Sequence, residues 1–258
     1  MGRFATTAEL YEQYRPPYSA EFFRLVAQEL ALSKQHALID LGTGPGPLAL
    51  GFAPYAGRVV GVDPEPAMLA AARTAARRVD ADVTFVEGRA EDLPETIGGF
   101  DVVTIGRALH WMDHGALAAL FARLVAPGGA IVVCATFASR DGRNPWLADY
   151  DAARRAWSDE KLLRDASKGE QTHRNLAEVL GPAGFGVAET VSVETTHEVS
   201  ASDLARRVLT FSPSSPAALG ERVDAMLADI EAQLLPYSRD GIIAETLVSW
   251  ANIARRLS

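Results

Sequence analysis

Three glycines at alternate positions follow an acidic residue in Asp40-Leu41-Gly42-Thr43-Gly44-Pro45-Gly46, and a second acidic residue, Asp63, stands one strand–helix–strand unit further on. Glycine lets a backbone turn sharply and approach a ligand closely. The bend joins an apolar run at 37–41 to an Ala/Leu-rich stretch, so it reads as the passage from a strand end to a helix start. Open parallel sheets bind ligands outside such carboxyl ends. Asp63 closes the next apolar run, 58–63, where a carboxylate can accept both hydroxyls of a ribose. The chemistry on offer is therefore the holding of a nucleoside.

What the nucleoside carries at its other end is a question of charge. A G-x-G-x-x-G pattern starting at Gly42 fails because residue 47 is proline, whereas Gly44-Pro45-Gly46-Pro47-Leu48-Ala49 meets the G-x-G-x-x-A form. The glycines alone thus leave a nicotinamide dinucleotide open. Asp40 weighs the other way, since a carboxylate beside the loop opposes a pyrophosphate but suits an ammonium and a sulfonium. Pro45 and Pro47 also remove two backbone donors that a phosphate would use. S-adenosylmethionine has both cationic groups. An NAD(P)-dependent oxidoreductase is the rival reading, although no Tyr is followed four residues later by Lys, the pair of one large class of Rossmann reductases.

The elements that must position these residues alternate in period. Short Val/Ile-rich runs at 37–41, 58–63, 83–87, 100–105 and 130–136 read as buried parallel strands. Ala-rich stretches at 65–79 and 115–125 read as helices, and 19–32 as an earlier helix with Ser19 as N-cap. Alternation at this spacing implies right-handed crossovers and an open parallel sheet. Residues 139–145 form a turn-rich break, followed by polar helical segments to about 180 and a glycine-rich punctuation at 181–186. Residues 187–199 alternate as a half-exposed edge strand does, 202–210 and 216–235 read as helices, and the periodicity of 242–253 leaves strand and helix both open.

Four ordered segments resemble the class I S-adenosylmethionine-dependent methyltransferases. Asp40 to Gly46 resembles the family's first motif, and Val62-Asp63-Pro64-Glu65-Pro66-Ala67-Met68 its ribose-binding strand end. Gly88-Arg89-Ala90-Glu91-Asp92-Leu93-Pro94 resembles its adenine-side segment, and Leu124-Val125-Ala126-Pro127-Gly128-Gly129 the turn before its fifth strand. Tyr14-Arg15-Pro16-Pro17-Tyr18 and Ala108-Leu109-His110-Trp111-Met112-Asp113 are similar to the trans-aconitate-methyltransferase-like branch of small-molecule enzymes.

The resemblance implies a Rossmann-like α/β fold: a seven-stranded, mostly parallel sheet with helices on both faces and helical cap insertions, its one antiparallel strand coming from the C-terminal region. It implies one domain over 1–258, with a cofactor core at 1–138, an acceptor-side cap at 139–240 that contributes a core strand near 187–199, and a C-terminal core element at 241–258. Gly42, Thr43 and Gly44 would face the methionine part of the cofactor, with Asp40 near its ammonium. Asp63 would hold the ribose, with Pro64 beside it. Met68 would pack near the adenine, and Ala90 and Glu91 would meet the adenine edge. Arg107 would sit at the methionine end. Tyr14 and Arg15 would close over the cofactor, Arg15 reaching its carboxylate. His110 is a candidate general base for an acceptor hydroxyl or amine, and equally a residue shaping the acceptor pocket with Trp111.

Composition narrows the partners. The 258-residue chain carries a net charge of −8, without the basic footprint of a nucleic-acid binder, so a small-molecule acceptor is expected. Arg73, Arg77 and Arg78 read as a solvated helix face. The single cysteine, Cys134, lies in an apolar strand as core, and neither a signal peptide nor a spanning segment is evident, so a cytoplasmic protein is expected. His110 and His114 flank Asp113 with a spacing known from zinc hydrolases, but a strand end is the wrong setting and no metal is expected. A non-catalytic methyltransferase-like partner module is the third reading.

Overall fold

The computed structural model describes residues 8–164, 180–181, 184–186 and 189–257. Seven strands form one sheet: β1 Ala37–Leu41, β2 Arg58–Asp63, β3 Thr84–Glu87, β4 Phe100–Gly106, β5 Val125–Ala138, β6 Glu189–Ser200 and β7 Ile242–Arg255. Their order is β3-β2-β1-β4-β5-β7-β6. Strands β1 to β5 pair in parallel, and β7 runs antiparallel to both β5 and β6. Both the α/β class and the single reversed strand agree with expectation. The chain leaves β1 for β2 on one side and returns to β4 on the other, so a crevice opens at the carboxyl end of β1.

Local sequence accounts for most boundaries. Ser19 caps α2 (Ala20–Glu29) by accepting a hydrogen bond from Phe22 N at 3.2 Å. That helix stops short of 32 because the chain turns through Ala31 at φ +49°. Proline occupies the first turn of both α3 (Pro47–Phe52) and α4 (Pro66–Arg78), where its missing N–H costs nothing. Helix α5 (His114–Leu124) is capped by Asp113, which accepts from Gly115 N at 2.9 Å. Strand β5 begins earlier than 130–136 because Val125 already pairs with Phe100 before a register shift.

Residues 242–253, which periodicity left open, are strand. Strand β7 is enclosed by β5 on one edge and β6 on the other, and its Ile243, Leu247, Ala251 and Ile253 are buried. The expected edge strand is β6, while 187–188 and most of the polar helical segment, 165–179, lie outside the described residues. The stretch 216–235 is interrupted at Gly220, φ +58°, and resumes as a helix at Val223–Leu234.

Apolar side chains pack on both sheet faces. Ile39, Leu41, Val103, Ile105 and Phe121 belong to one cluster, and Phe22, Leu38, Phe52 and Val132 to the other. Cys134 is fully buried in the second. Arg73, Arg77 and Arg78 are exposed on α4. A third cluster joins α6 (Leu147–Trp157), α7 (Ala201–Arg207) and Val223–Leu234, here α8, through Trp146, Tyr150, Leu204, Met226 and Ile230. Leu10 of α1 (Ala8–Tyr14) packs against it. No described helix is long and apolar enough to cross a membrane.

The contact between α2 and α3 is tight enough to test. A Cβ on Gly51 would lie 2.1 Å from Phe23 Cζ, and Phe23 is itself buried. Gly51→Ala is expected to destabilise the fold by about 1–3 kcal/mol through overpacking. Urea denaturation should show a lowered midpoint at unchanged slope.

Candidate active site

The bend after β1 is built from left-handed glycines. Gly42, Gly44 and Gly46 have φ of +68°, +56° and +90°. A Cβ on Gly42 would come within 2.4 Å of Ala108 Cβ, so the bend and the segment after β4 can touch only because residue 42 has no side chain. Thr43 N donates to Val62 O at 2.9 Å, and Gly46 N to Thr43 O at 2.9 Å, which fixes the bend between the two strand tips.

Two carboxylates brace this bend. Asp63 accepts from Gly44 N at 2.8 Å and from Glu65 N at 2.9 Å, and it remains 8% exposed at the crevice. Burial raises its pKa against those two hydrogen bonds. Asp40 lies deeper, 1% exposed, and accepts from Thr43 Oγ1 at 2.6 Å and Thr104 Oγ1 at 2.8 Å. Burial pushes its carboxyl up from the ordinary 3.8 to about 7, outweighing the hydroxyl donors.

A cavity of about 280 Å³ opens over the bend. Of the residues expected at the site, Gly42, Thr43, Gly44, Asp63, Pro64, Met68, Ala90, Glu91 and Trp111 line it. Glu91 also accepts from Asp113 N at 2.6 Å, which ties the cavity wall to the start of α5. Asp40, Tyr14, Arg15, Arg107 and His110 are not part of the lining. Asp40 sits under the bend rather than on its open side. Tyr14 offers its carbonyl to Arg207 Nε at 2.9 Å. Arg15 donates to Thr210 O at 2.8 Å and packs against the Tyr11 and Phe211 rings. Arg107, at φ +57°, donates to Pro16 O at 2.9 Å and Thr136 O at 3.3 Å, bolting the α1–α2 link to the sheet. The His110 ring lies against Trp111 with centroids 4.6 Å apart.

Sequence reading missed Tyr11 and Met112, which line the cavity. Tyr11 stands four residues before Arg15, on the same face of α1, and that spacing was the available signal. Burial raises the Tyr11 phenol, but Arg15 and Arg107 outweigh it and bring its pKa down.

The lining fits a nucleoside with a cationic rather than phosphorylated end. Asp63 offers a carboxylate to a sugar, and Met68 and Ala90 offer apolar surface to a base. The lining guanidinium of Arg89 is already turned to Glu91, at 3.6 Å. The Asp63 carboxylate beside the bend opposes a pyrophosphate.

The Asp40 carboxyl gives this site a pH signature. Folded protein keeps the proton up to about pH 7, whereas the unfolded chain releases it near 3.8. In between, the folded state binds more protons, so stability falls as pH rises through that window. Asp40→Asn should remove this contribution. Urea midpoints across the window should show the variant gaining on the parent as pH rises; a constant difference would deny Asp40 this titration.

Comparison with known proteins agrees with this geometry. A family described as methyltransferase domain matches residues 38–129. The uncharacterized methyltransferase YcgJ of Bacillus subtilis is 27% identical over 169 residues, covering 65% of this chain and 66% of that protein. The demethylmenaquinone methyltransferase of Thermus thermophilus is 41% identical over 116 residues, covering 43% and 52%. The matches thus span about half to just under two thirds of these relatives' lengths. A SAM-dependent methyltransferase from Thiobacillus denitrificans, solved in complex with S-adenosyl-L-homocysteine, shares the fold with a TM-score of 0.57 at 16% identity, covering 100% of this chain and 99% of that one. With the strand order and the glycine bend already described, these matches place a methyltransferase domain over residues 38–129, and the chain has the fold of the class I S-adenosylmethionine-dependent methyltransferases.

Proposed function

We propose that this protein transfers a methyl group from S-adenosylmethionine to a small-molecule acceptor by direct displacement. The observation that carries the reading is Asp63, a carboxylate held by Gly44 N and Glu65 N at the mouth of a cavity over a glycine bend. The cofactor supplies an electrophilic methyl on a sulfonium. In this reading Asp63 binds the ribose, Met68 and Ala90 enclose the adenine, and Glu91 accepts from its edge. Gly42 to Gly44 bring backbone against the methionine portion. Tyr11, Trp111 and Met112 wall the cavity and exclude water.

Aligning acceptor, methyl and leaving sulfur removes much of the barrier to such a displacement. His110 therefore serves best as a backing for Trp111, with which its ring is in contact. The net charge of −8 favours a small molecule over a nucleic acid. The relative named for demethylmenaquinone lends support to that class of acceptor. Helices α6, α7 and α8 form the acceptor-side cap in this reading.

Calorimetry with S-adenosylhomocysteine tests the cofactor. Binding clearly tighter than millimolar is expected, whereas saturable nicotinamide binding without it would favour the oxidoreductase. Asp63→Ala should weaken homocysteine-product binding about 10- to 100-fold, the value of a charge-assisted hydrogen bond. A screen of small molecules with labelled cofactor should reveal turnover. His110→Ala should then lower kcat only a few-fold; a loss of about 10²-fold or more would make His110 the base.

A further inference from the structure

Helix α6 and its first flanking residue carry Trp146, Tyr150 and Arg154 at four-residue spacing, so these side chains share one face. Trp146 is 1% and Tyr150 4% exposed. Yet among the described residues Trp146 Nε1, Tyr150 Oη and Arg154 Nε all lack a hydrogen-bond partner, as does the Nε of Arg15, which directly follows α1. The four groups are neighbours. Trp146 meets Tyr150 edge-on with centroids 5.6 Å apart. Arg15 and Arg154 lie 4.2 and 4.7 Å from the centroid of the Phe211 ring. Burial raises the Tyr150 phenol's pKa, with Arg207, Arg154 and Arg15 opposing it.

Indole and guanidinium N–H groups can only donate. The deficit on this face is therefore one of acceptors. It is also one of negative charge. Arg207 is matched by Glu245, with both oxygens accepting at 2.6 and 2.8 Å. Among the described residues Arg15 has no such partner: burial lowers its pKa to about 10, and the groups acting on it most strongly after that are Tyr11, Arg107, Tyr150 and Arg207. Arg154 has Asp151 only at 3.5 Å, and that carboxylate also accepts from Arg140 at 2.8 Å. Burying an unmatched guanidinium is costly. One oxyanion would answer both deficits.

The cluster adjoins the cofactor cavity. Tyr11 lines that cavity, and the Arg15 guanidinium lies 4.9 Å from the centroid of its ring. In the methyl-transfer reading the candidate anions are two: the cofactor's own carboxylate and an anion on the acceptor. Two of the unmatched donors, Tyr150 and Arg154, belong to α6, outside the lobe that lines the cofactor cavity.

We propose that the face between α1 and α6 binds an anionic group of the methyl acceptor, a carboxylate or comparable oxyanion, with Arg15, Arg154 and Tyr150 as its donors. This inference rests on the methyl-transfer reading and specifies its substrate class.

The test uses the full chain saturated with S-adenosylhomocysteine. Benzoate, phenylacetate and succinate are titrated calorimetrically beside their uncharged amides. At least one acid should bind about tenfold or more tightly than its amide, the value of one charge-assisted bond. Arg154→Gln and Tyr150→Phe should erode that preference while leaving homocysteine-product affinity unchanged. Acids binding no better than amides, or a preference surviving both substitutions, overturns the proposal. A fall in product affinity in Arg154→Gln with no acid preference assigns the donors to the cofactor's carboxylate and overturns it too. If the variants do not fold, the Nε–H signals of Arg15 and Arg154 in the parent protein decide: benzoate must shift at least one of them and benzamide neither. Absence of homocysteine-product binding by the parent protein sinks the methyl-transfer reading itself, and that result is distinct from all the others.

Discussion

Everything at the site depends on two strand tips approaching closely enough that the bend after β1 touches the segment after β4. The contact has room for a hydrogen at residue 42 and for nothing larger, since a Cβ there would meet Ala108 at 2.4 Å. That closeness sets the floor of the cavity. It also places Gly44 N where Asp63, at the tip of the next strand, accepts from it at 2.8 Å. The bend is thus held from the side by Asp63 and from beneath by Asp40 through the Thr43 and Thr104 hydroxyls. Three neighbouring strands, β2, β1 and β4, thus constrain a loop of five residues.

The two halves of the molecule differ in electrostatic character. The cofactor lobe gathers carboxylates, Asp40, Asp63 and Glu91, around a cavity whose guanidinium, Arg89, already faces Glu91. The region where α1 and the segment after β4 meet α6 and α7 gathers guanidinium groups, Arg15, Arg107, Arg154 and Arg207, around the aromatic rings of Tyr11, Tyr18, Tyr150 and Phe211. A ligand pair with a cation on one partner and an anion on the other would neutralise both halves at once. Such complementarity orients reactants before any chemistry occurs, and orientation is what a direct displacement requires most.

The cofactor lobe was legible in the sequence because its determinants are local. A strand, a glycine bend, a Pro-initiated helix and a terminal Asp recur within short windows, and their types have direct physical meanings. Strand β7 was not legible because its buried face includes the polar Glu245 and Ser249 while its more exposed face includes Val248 and Trp250, so burial alternates along it but polarity does not. Tyr11 was missed, and Arg15 was expected at the cofactor, because neither position is decided by its neighbours in sequence. Arg15 finds its acceptor at Thr210, 195 residues away. Asp40 was read for its charge at the loop's open side; its two hydroxyl donors, one of them on β4, instead hold it underneath.

The same long-range character explains how α7 is fastened to the sheet. Arg207 on α7 places both terminal nitrogens on Glu245 of β7 and its Nε on Tyr14 O at the end of α1. Glu245 is fully buried and also faces His197 of β6 at 3.4 Å. Breaking one side of such a pair leaves a bare buried charge, an outcome worth about 3–5 kcal/mol of destabilisation. A satisfied pair of this kind fixes one arrangement of α1, α7 and β7. Arg15, just after α1, and Arg154 on α6 lie against the same Phe211 ring, each with its Nε unpartnered among the described residues.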